Sequence, residues 1–377
     1  MASARQGAAM QISGRILAGS KWIDGHVTCR DGLIQSIAAA PAPDRFILPG
    51  FIDTHVHGGG GADVMDGADA VRAVAAFHLA HGTTTLLPTT ITRPWTDVMS
   101  ALRAVSEVMG TDDPDGPSIP GVHLEGPFVS PHRLGAQPPF ALDPSVDRID
   151  EVLASGVVRV VTLAPELPHA DDAMRRFAAA GVRVSLGHTI ADVETTERAL
   201  RCVCEAGGTV GLTHLFNAMN PIEGRRPGPV AALFCHDAGY AEMIFDTHHV
   251  HPATFRMAHR VLDRRLLFIT DAMRATGQGD GPSSLGGQAV MVRDGVARLP
   301  DGTLAGSVLT LDQALRNAVA HGTPLAKAAE LVSTNAASYL GLTDRGVIAP
   351  GKRADLVVLD ASLTVVEVWV AGRRVRG

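Results

Sequence analysis

The apolar positions of this chain change period twice. Before residue 50 they alternate with polar ones in short pieces. Segments 11–17, 26–30 and 33–38 read as strands, with turns at Asp24-Gly25 and Asp31-Gly32. The other end has the same character: 355–359 and 365–370 are strand-like, and Ala371-Gly372 marks a turn. Two β-rich ends around a different middle predict one small β-sandwich-like domain built from residues 1–49 together with 345–377.

Between them, apolar β-branched runs recur, each followed by an amphipathic stretch. The strand candidates are 46–57, 84–90, 121–125, 157–164, 182–188, 210–215, 242–247 and 266–271. Helical periodicity covers 68–81, 96–109, 171–180, 191–206 and 254–262, then 311–320 and 324–333. Strand-then-helix units in this number predict an α/β chain whose segment 50–344 is a (β/α)8 TIM-like barrel. A doubly wound open sheet is the alternative. Residues 111–120 read as a polar, proline-rich loop.

Charge and composition narrow the function classes. The 377 residues carry a net charge of −6, and three lysines, Lys21, Lys327 and Lys352, stand among a large majority of arginines. This balance excludes a basic nucleic-acid binder but not a small anionic substrate held by a few local cations. Mean hydropathy is +0.14, yet no apolar run approaches the roughly 20 residues that span a bilayer. Segment 1–20 lacks the compact apolar stretch of a secretory leader. No membrane or nucleic-acid partner is therefore expected, and the expected location is the cytoplasm. Cys29, Cys202, Cys204 and Cys235 match no zinc spacing and read as ordinary thiols.

In a barrel, the C-terminal strand ends share one mouth, and chemistry collects there. Strand one ends in His55-Val56-His57, strand three in Glu125, strand five in His188, strand six in His214 and strand eight in Asp271. Imidazoles and carboxylates are the donors that borderline and harder divalent cations prefer. Strand alternation puts His55 and His57 on one face. A single histidine at a strand end is ordinarily a hydrogen-bonded structural residue. Five strands each ending in a ligand-type residue point instead to a metal site. The other histidines carry blander expectations. His78, His81, His259 and His321 fall on helices as surface or packing residues, and His26, His169 and His236 have no chemical neighbours. His123, two before Glu125, is placed to stand behind the ligands.

The motifs Pro49-Gly-Phe-Ile-Asp-Thr-His-Val-His-Gly58, His123-Leu-Glu-Gly-Pro-Phe128, Thr162-Leu-Ala-Pro-Glu166 and Leu186-Gly-His-Thr189 run through the barrel region. They continue in Thr213-His-Leu-Phe-Asn-Ala-Met219, Thr270-Asp-Ala272 and Gly302-Thr-Leu-Ala-Gly-Ser307. With the more general segment Gly346–Asp355, they resemble the N-acetylglucosamine-6-phosphate deacetylase family of the amidohydrolase superfamily. The resemblance implies hydrolysis of N-acetyl-D-glucosamine 6-phosphate to D-glucosamine 6-phosphate and acetate. It implies that Glu125, His188 and His214 hold a catalytic divalent cation (zinc, iron, manganese or cobalt) and that Asp271 is the acid/base. His55 and His57 resemble the ligands of members that hold a second cation, with Glu125 shared. No lysine lies near the first six strand ends, so the carboxylated lysine that bridges cations in many amidohydrolases is excluded.

For the substrate, the resemblance implies contacts from Gln137, Asn217, Ala218 and His249, and packing of the 302–307 loop, with Leu304, on the acetyl group. Arg225 matches an arginine that reaches the phosphate from the neighbouring subunit, which implies a homodimer. Two departures leave alternatives. Asp246-Thr247-His248-His249 stands where the family often reads Asp-Gly before its histidine, so His248 competes with His249. Arg226 competes with Arg225. The rival functions are a deacetylase for the N-acetylgalactosamine 6-phosphate isomer or a related amidohydrolase and, from another class, a catalytically silent scaffold.

Overall fold

The computed structural model describes residues 9–111 and 113–377. Residues 1–8, which begin the segment read for a leader, and residue 112, in the predicted loop, lie outside them. Eight parallel strands run Phe51–Val56, Thr83–Thr90, Val122–Glu125, Val158–Leu163, Arg183–Leu186, Val210–Leu212, Tyr240–Ile244 and Leu266–Ile269, each hydrogen-bonded to the next. A parallel bridge from Val56 to Ala272 joins the last strand's end to the first. The sheet is thus a closed barrel and not an open doubly wound sheet. A helix follows every strand: Ala68–Ala80, Trp95–Met109, Val146–Ala154, Ala170–Ala179, Val193–Glu205, Pro229–Phe234, Pro252–Leu262 and Leu311–Ala320. Among the described residues, no helix is long and apolar enough to cross a membrane.

Both chain ends join in one seven-stranded sheet: Met10–Ala18, Lys21–Arg30, Leu33–Ala39 and Phe46–Pro49 from one end, Leu356–Leu359, Val365–Val370 and Arg373–Arg376 from the other. The period of two decides what each residue touches. Ile16, Ile47, Leu356 and Val358 share a core enclosed by the sheet itself, with Ile12, Val27 and Trp369. Their sequence neighbours Leu17, Leu48, Val357 and Leu359 point the other way, into the barrel core.

Several details differ from the sequence expectations. The run 46–57 is two strands, the first in the terminal sheet and the second in the barrel. They divide at Gly50, where a Cβ would lie 2.1 Å from Thr84 Oγ1. Asp24-Gly25 is not a turn, because one strand runs through from Lys21 to Arg30. Gly25 is there because a Cβ would sit 2.0 Å from the Ala38 carbonyl oxygen of the paired strand; the reversal is at Gly19-Ser20 instead. Helices Val146–Ala154 and Pro229–Phe234 were not foreseen. The first follows a long proline-rich stretch, and the second is too short to show a period. After barrel strand eight comes an unforeseen antiparallel sheet, Gly281–Leu285, Gln288–Arg293 and Val296–Arg298. It packs over the mouth through Leu285, Val290 and Val292 against Ile91 and Met273.

Candidate active site

The expected residues converge at the C-terminal mouth of the barrel. All except His55 and Arg225 line a single cleft. His55 is fully buried one layer below, behind His57. Arg225 lies exposed on a separate surface depression with Arg133, Glu223 and Arg226. His249 lines the cleft and His248 does not. That difference follows from Asp246, which accepts from both backbone N–H groups at 2.8 Å and from His249 Nδ1 at 2.7 Å, turning that ring inwards.

The strands stop short of their ligands. His188, His214 and Asp271 each stand two residues beyond the last paired strand residue, with φ of 47°, 31° and 48°. Left-handed backbone at a non-glycine residue costs on the order of 1–3 kcal/mol and persists only where the surroundings impose it. Here the turned-out carbonyls are taken up. Ser130 N–H donates to His188 O at 2.9 Å, Asn217 N–H to His214 O at 2.9 Å and Ser307 N–H to Asp271 O at 2.7 Å. The strained turns aim three side chains inwards from three separate strands.

Glu125 is the centre of the cluster. Its Oε1 faces His188 Nε2 at 3.1 Å and His214 Nε2 at 3.0 Å. Its Oε2 faces His57 Nε2 at 3.1 Å and His55 Nε2 at 3.5 Å. Asp271 Oδ1 completes the second set, 3.2 Å from His57 Nε2 and 3.7 Å from His55 Nε2. Among the described residues three ligand groups result, Glu125–His188–His214, His55–His57–Asp271 and, beneath them, His55–His123–Glu242; each could hold a divalent cation, and the first two reach the cleft.

The proton positions test whether a cation fits. His188 Nδ1 lies 3.0 Å from the Arg133 carbonyl and His57 Nδ1 3.2 Å from the Thr89 carbonyl. A carbonyl only accepts, so each neutral ring carries its proton on Nδ1 and turns a bare Nε2 lone pair into the cluster. His188 Nε2 is itself 3.0 Å from His214 Nε2, and His55 Nε2 is 3.1 Å from His57 Nε2. Lone pairs and carboxylates packed this closely repel one another unless positive charge sits among them. The donor set therefore fits divalent cations. Without one, protons are drawn in. Burial opposes charge on His57, but Asp271 and Glu125 override it and raise its pKa to about 9. Burial likewise opposes ionisation of Glu125, yet His55, His188 and His214 hold its carboxyl well below the usual range.

Other polar groups brace the cluster. Gln137 is locked as an amide: its Oε1 accepts from Thr92 N–H at 2.7 Å, and its Nε2 donates to Glu125 Oε2 at 2.6 Å. His123 does stand behind the ligands, bonded to the Thr54 carbonyl at 2.9 Å and Thr162 Oγ1 at 2.7 Å, with its ring 4.5 Å from that of His55. His78, expected to pack, is buried and bonded to the Gly58 carbonyl at 2.9 Å. Among the described residues, no lysine lines the cleft.

Sequence reasoning missed Asp53 and Glu242. Asp53 accepts from Thr270 Oγ1 at 2.6 Å and from His55 N–H at 3.2 Å; burial pushes its carboxyl up to about 7 despite these bonds. The signal was available, since Asp53, His55 and His57 alternate on one face of one strand. Glu242 is almost fully buried in strand seven, under His55. Its signal was a lone carboxylate in an apolar strand.

Residues 46–375 match the model of the Amidohydrolase family. The chain is 37% identical over 371 residues to the N-acetylgalactosamine-6-phosphate deacetylase of Escherichia coli O157:H7, covering 95% of this chain and 97% of that protein. It is 37% identical over 364 residues to the N-acetylglucosamine-6-phosphate deacetylase of Bacillus subtilis (strain 168), covering 91% and 90%. Among solved structures, a mutant N-acetyl-D-glucosamine-6-phosphate deacetylase from Mycobacterium smegmatis, in complex with N-acetyl-D-glucosamine-6-phosphate, superimposes with a TM-score of 0.90. It has 37% identity and covers 98% of this chain and 100% of that one.

Proposed function

This chain belongs to the amidohydrolase family, with N-acetylglucosamine-6-phosphate deacetylases as its relatives, and on that premise we propose that it hydrolyses the acetamide of N-acetyl-D-glucosamine 6-phosphate to D-glucosamine 6-phosphate and acetate. The observation that carries the reading is a carboxylate, Asp271, set against the Glu125–His188–His214 group in one cleft. All the candidate residues fall in 50–344, to which we assign the chemistry, leaving 1–49 and 345–377 a supporting role.

A divalent cation held by Glu125, His188 and His214, with a second at His55 and His57, would supply Lewis acidity towards the acetyl carbonyl and the attacking water. Zinc, iron, manganese and cobalt all suit these donors. The chain's own groups do the rest. Asp271 accepts the proton of the water as its oxygen bonds to the carbonyl carbon. It then delivers that proton to the sugar nitrogen as the C–N bond breaks, so one carboxylate serves as base and then acid. Gln137 fixes the orientation of Glu125. Leu304 packs beside the acetyl methyl group and helps exclude water. His249, fixed by Asp246, contacts the sugar phosphate together with Asn217 and Ala218.

The phosphate does not react. Its binding holds the amide in place, which is how remote contacts accelerate chemistry. Arg225 serves it from the partner subunit of a homodimer; its exposure outside its own cleft supports that reading. A cytoplasmic location agrees with four unpaired cysteines. The galactosamine isomer is the second reading, because one of the relatives at 37% identity is named for it.

Acetate release from both isomers, and from N-acetylglucosamine without phosphate, tests the proposal. Turnover of the glucosamine phosphate well above both others is expected. A preference for the galactosamine phosphate would select the second reading, and equal turnover of the unphosphorylated sugar would remove the phosphate from the argument.

A further inference from the structure

The interior of a (β/α)8 barrel is ordinarily packed with branched apolar side chains. Here a carboxylate lies inside it. Glu242 is 1% exposed and, among the described residues, forms no ion pair with a lysine or arginine. Burying an ionisable group so deeply is costly unless its partners give it a task. Its partners are few and directional. Oε1 accepts from Thr54 Oγ1 at 2.6 Å. Oε2 lies 3.4 Å from His55 Nδ1, a long bond, and no other acceptor for that nitrogen exists among the described residues. His123 Nδ1, 3.9 Å from Oε1, is spent on the Thr54 carbonyl instead.

We propose that Glu242 is a positioning residue for the second cation: it holds the proton of His55 on Nδ1 and so leaves His55 Nε2 bare towards His57, Glu125 and Asp271. The inference rests on the two-cation reading given above and adds the group on which its second half depends. A histidine ligand is kept in the right tautomer, and made more basic, by an acceptor on its other nitrogen. Loss of such an acceptor typically lowers cation affinity about 10–100-fold. The Glu125–His188–His214 group owes nothing to Glu242. His188 is oriented by a main-chain carbonyl on another loop, and His214 Nδ1 is buried without a partner among the described residues. The two cation positions should therefore respond differently to one substitution. Glu242→Gln keeps the size of the side chain but removes its charge and, in the orientation that still accepts from Thr54, turns an N–H towards His55 Nδ1. The ring must then move its proton to Nε2, into the cation position.

The experiment titrates zinc into the metal-free full-length protein against a chromogenic chelator, with far-ultraviolet circular dichroism and melting as checks of folding. The parent is expected to bind two equivalents. Glu242→Gln should keep the first at the parent's affinity and weaken the second about 10–100-fold. Thr54→Val, which leaves the carboxylate but removes the donor that orients it, should weaken the second less. If Glu242→Gln does not fold, Thr54→Val carries the test. Two equivalents at parent affinity in the folded variants, or equal weakening of both, would overturn the role of Glu242 alone. A parent that binds one equivalent would overturn the two-cation reading, and this inference with it.

Discussion

The two halves of the ligand cluster are held from opposite directions. His188 and His214 stand on the rim, where left-handed turns after the strands aim them inwards, and backbone N–H groups take up their carbonyls, from a neighbouring loop for His188 and from its own turn for His214. His55 lies within strand one and His57 directly after it, and they are held from below and from the side by Glu242, Asp53 and the Thr89 carbonyl. Only Glu125 belongs to both, one oxygen to each. The rim half is set by loop conformation, and the inner half by the packed barrel interior. A substitution can therefore reach one half without the other, and the halves can be separated by experiment.

The largest effect is expected from removing cations altogether. Treatment with a strong chelator should abolish acetate release, and added zinc or manganese should restore it. Against that baseline, His214→Asn should leave no measurable turnover and His57→Asn should retain some, if the rim half holds the catalytic cation as proposed. Equal loss in both would break the distinction and make the pair one functional unit. Asp271→Asn comes next. Its amide cannot take up a proton, so kcat should fall about 10²–10⁴-fold. KM should change little, since the side chain keeps its size.

The same division explains what could be read from the sequence. The rim ligands end recognisable motifs, and the alternating strands and amphipathic helices announced the barrel. What was hidden depends on long-range contact. Gly25 reads as a turn residue, but its reason is the Ala38 carbonyl on the adjacent strand. The run 46–57 is continuous in hydrophobicity, yet it is divided by Thr84 pressing on Gly50. Glu242 lies 187 residues from His55, and no local pattern connects them. The sheet 281–298 escaped notice because Gly281, Pro282, Gly286 and Gly287 gave it the composition of a loop.

Arg225 offers a smaller and more selective effect on the rim side. In its own protomer it has no ion pair among those of the described residues, and it lies outside the cleft its own chain provides. If it reaches a phosphate across a dimer, Arg225→Ala removes a charged hydrogen bond worth about 1.5–3 kcal/mol. KM should then rise about ten- to a hundred-fold with kcat nearly kept. At substrate well below the raised KM, mixing Arg225→Ala with Asp271→Asn should then give more turnover than the two variants apart, because each mixed dimer contains one site with both residues intact. No recovery on mixing would remove the shared site.

The smallest expected effect separates two adjacent arginines. Arg226 is engaged within its own turn, with Nη2 3.2 Å from Glu223 Oε2 and Nε 3.3 Å from the same oxygen, three residues away along the chain. Both partners are largely exposed, and such surface pairs contribute about 0–1 kcal/mol. A guanidinium already facing a carboxylate is also poorly prepared to accept a phosphate, since it would have to leave one anion for another. Arg226→Ala should therefore lower the melting temperature only slightly and leave KM for the phosphosugar where it was. The comparison with Arg225→Ala is made under identical salt, because screening weakens both surface charges alike. A rise in KM for Arg226→Ala equal to that for Arg225→Ala would show that the phosphate is held by the pair, and the assignment to Arg225 alone would fail.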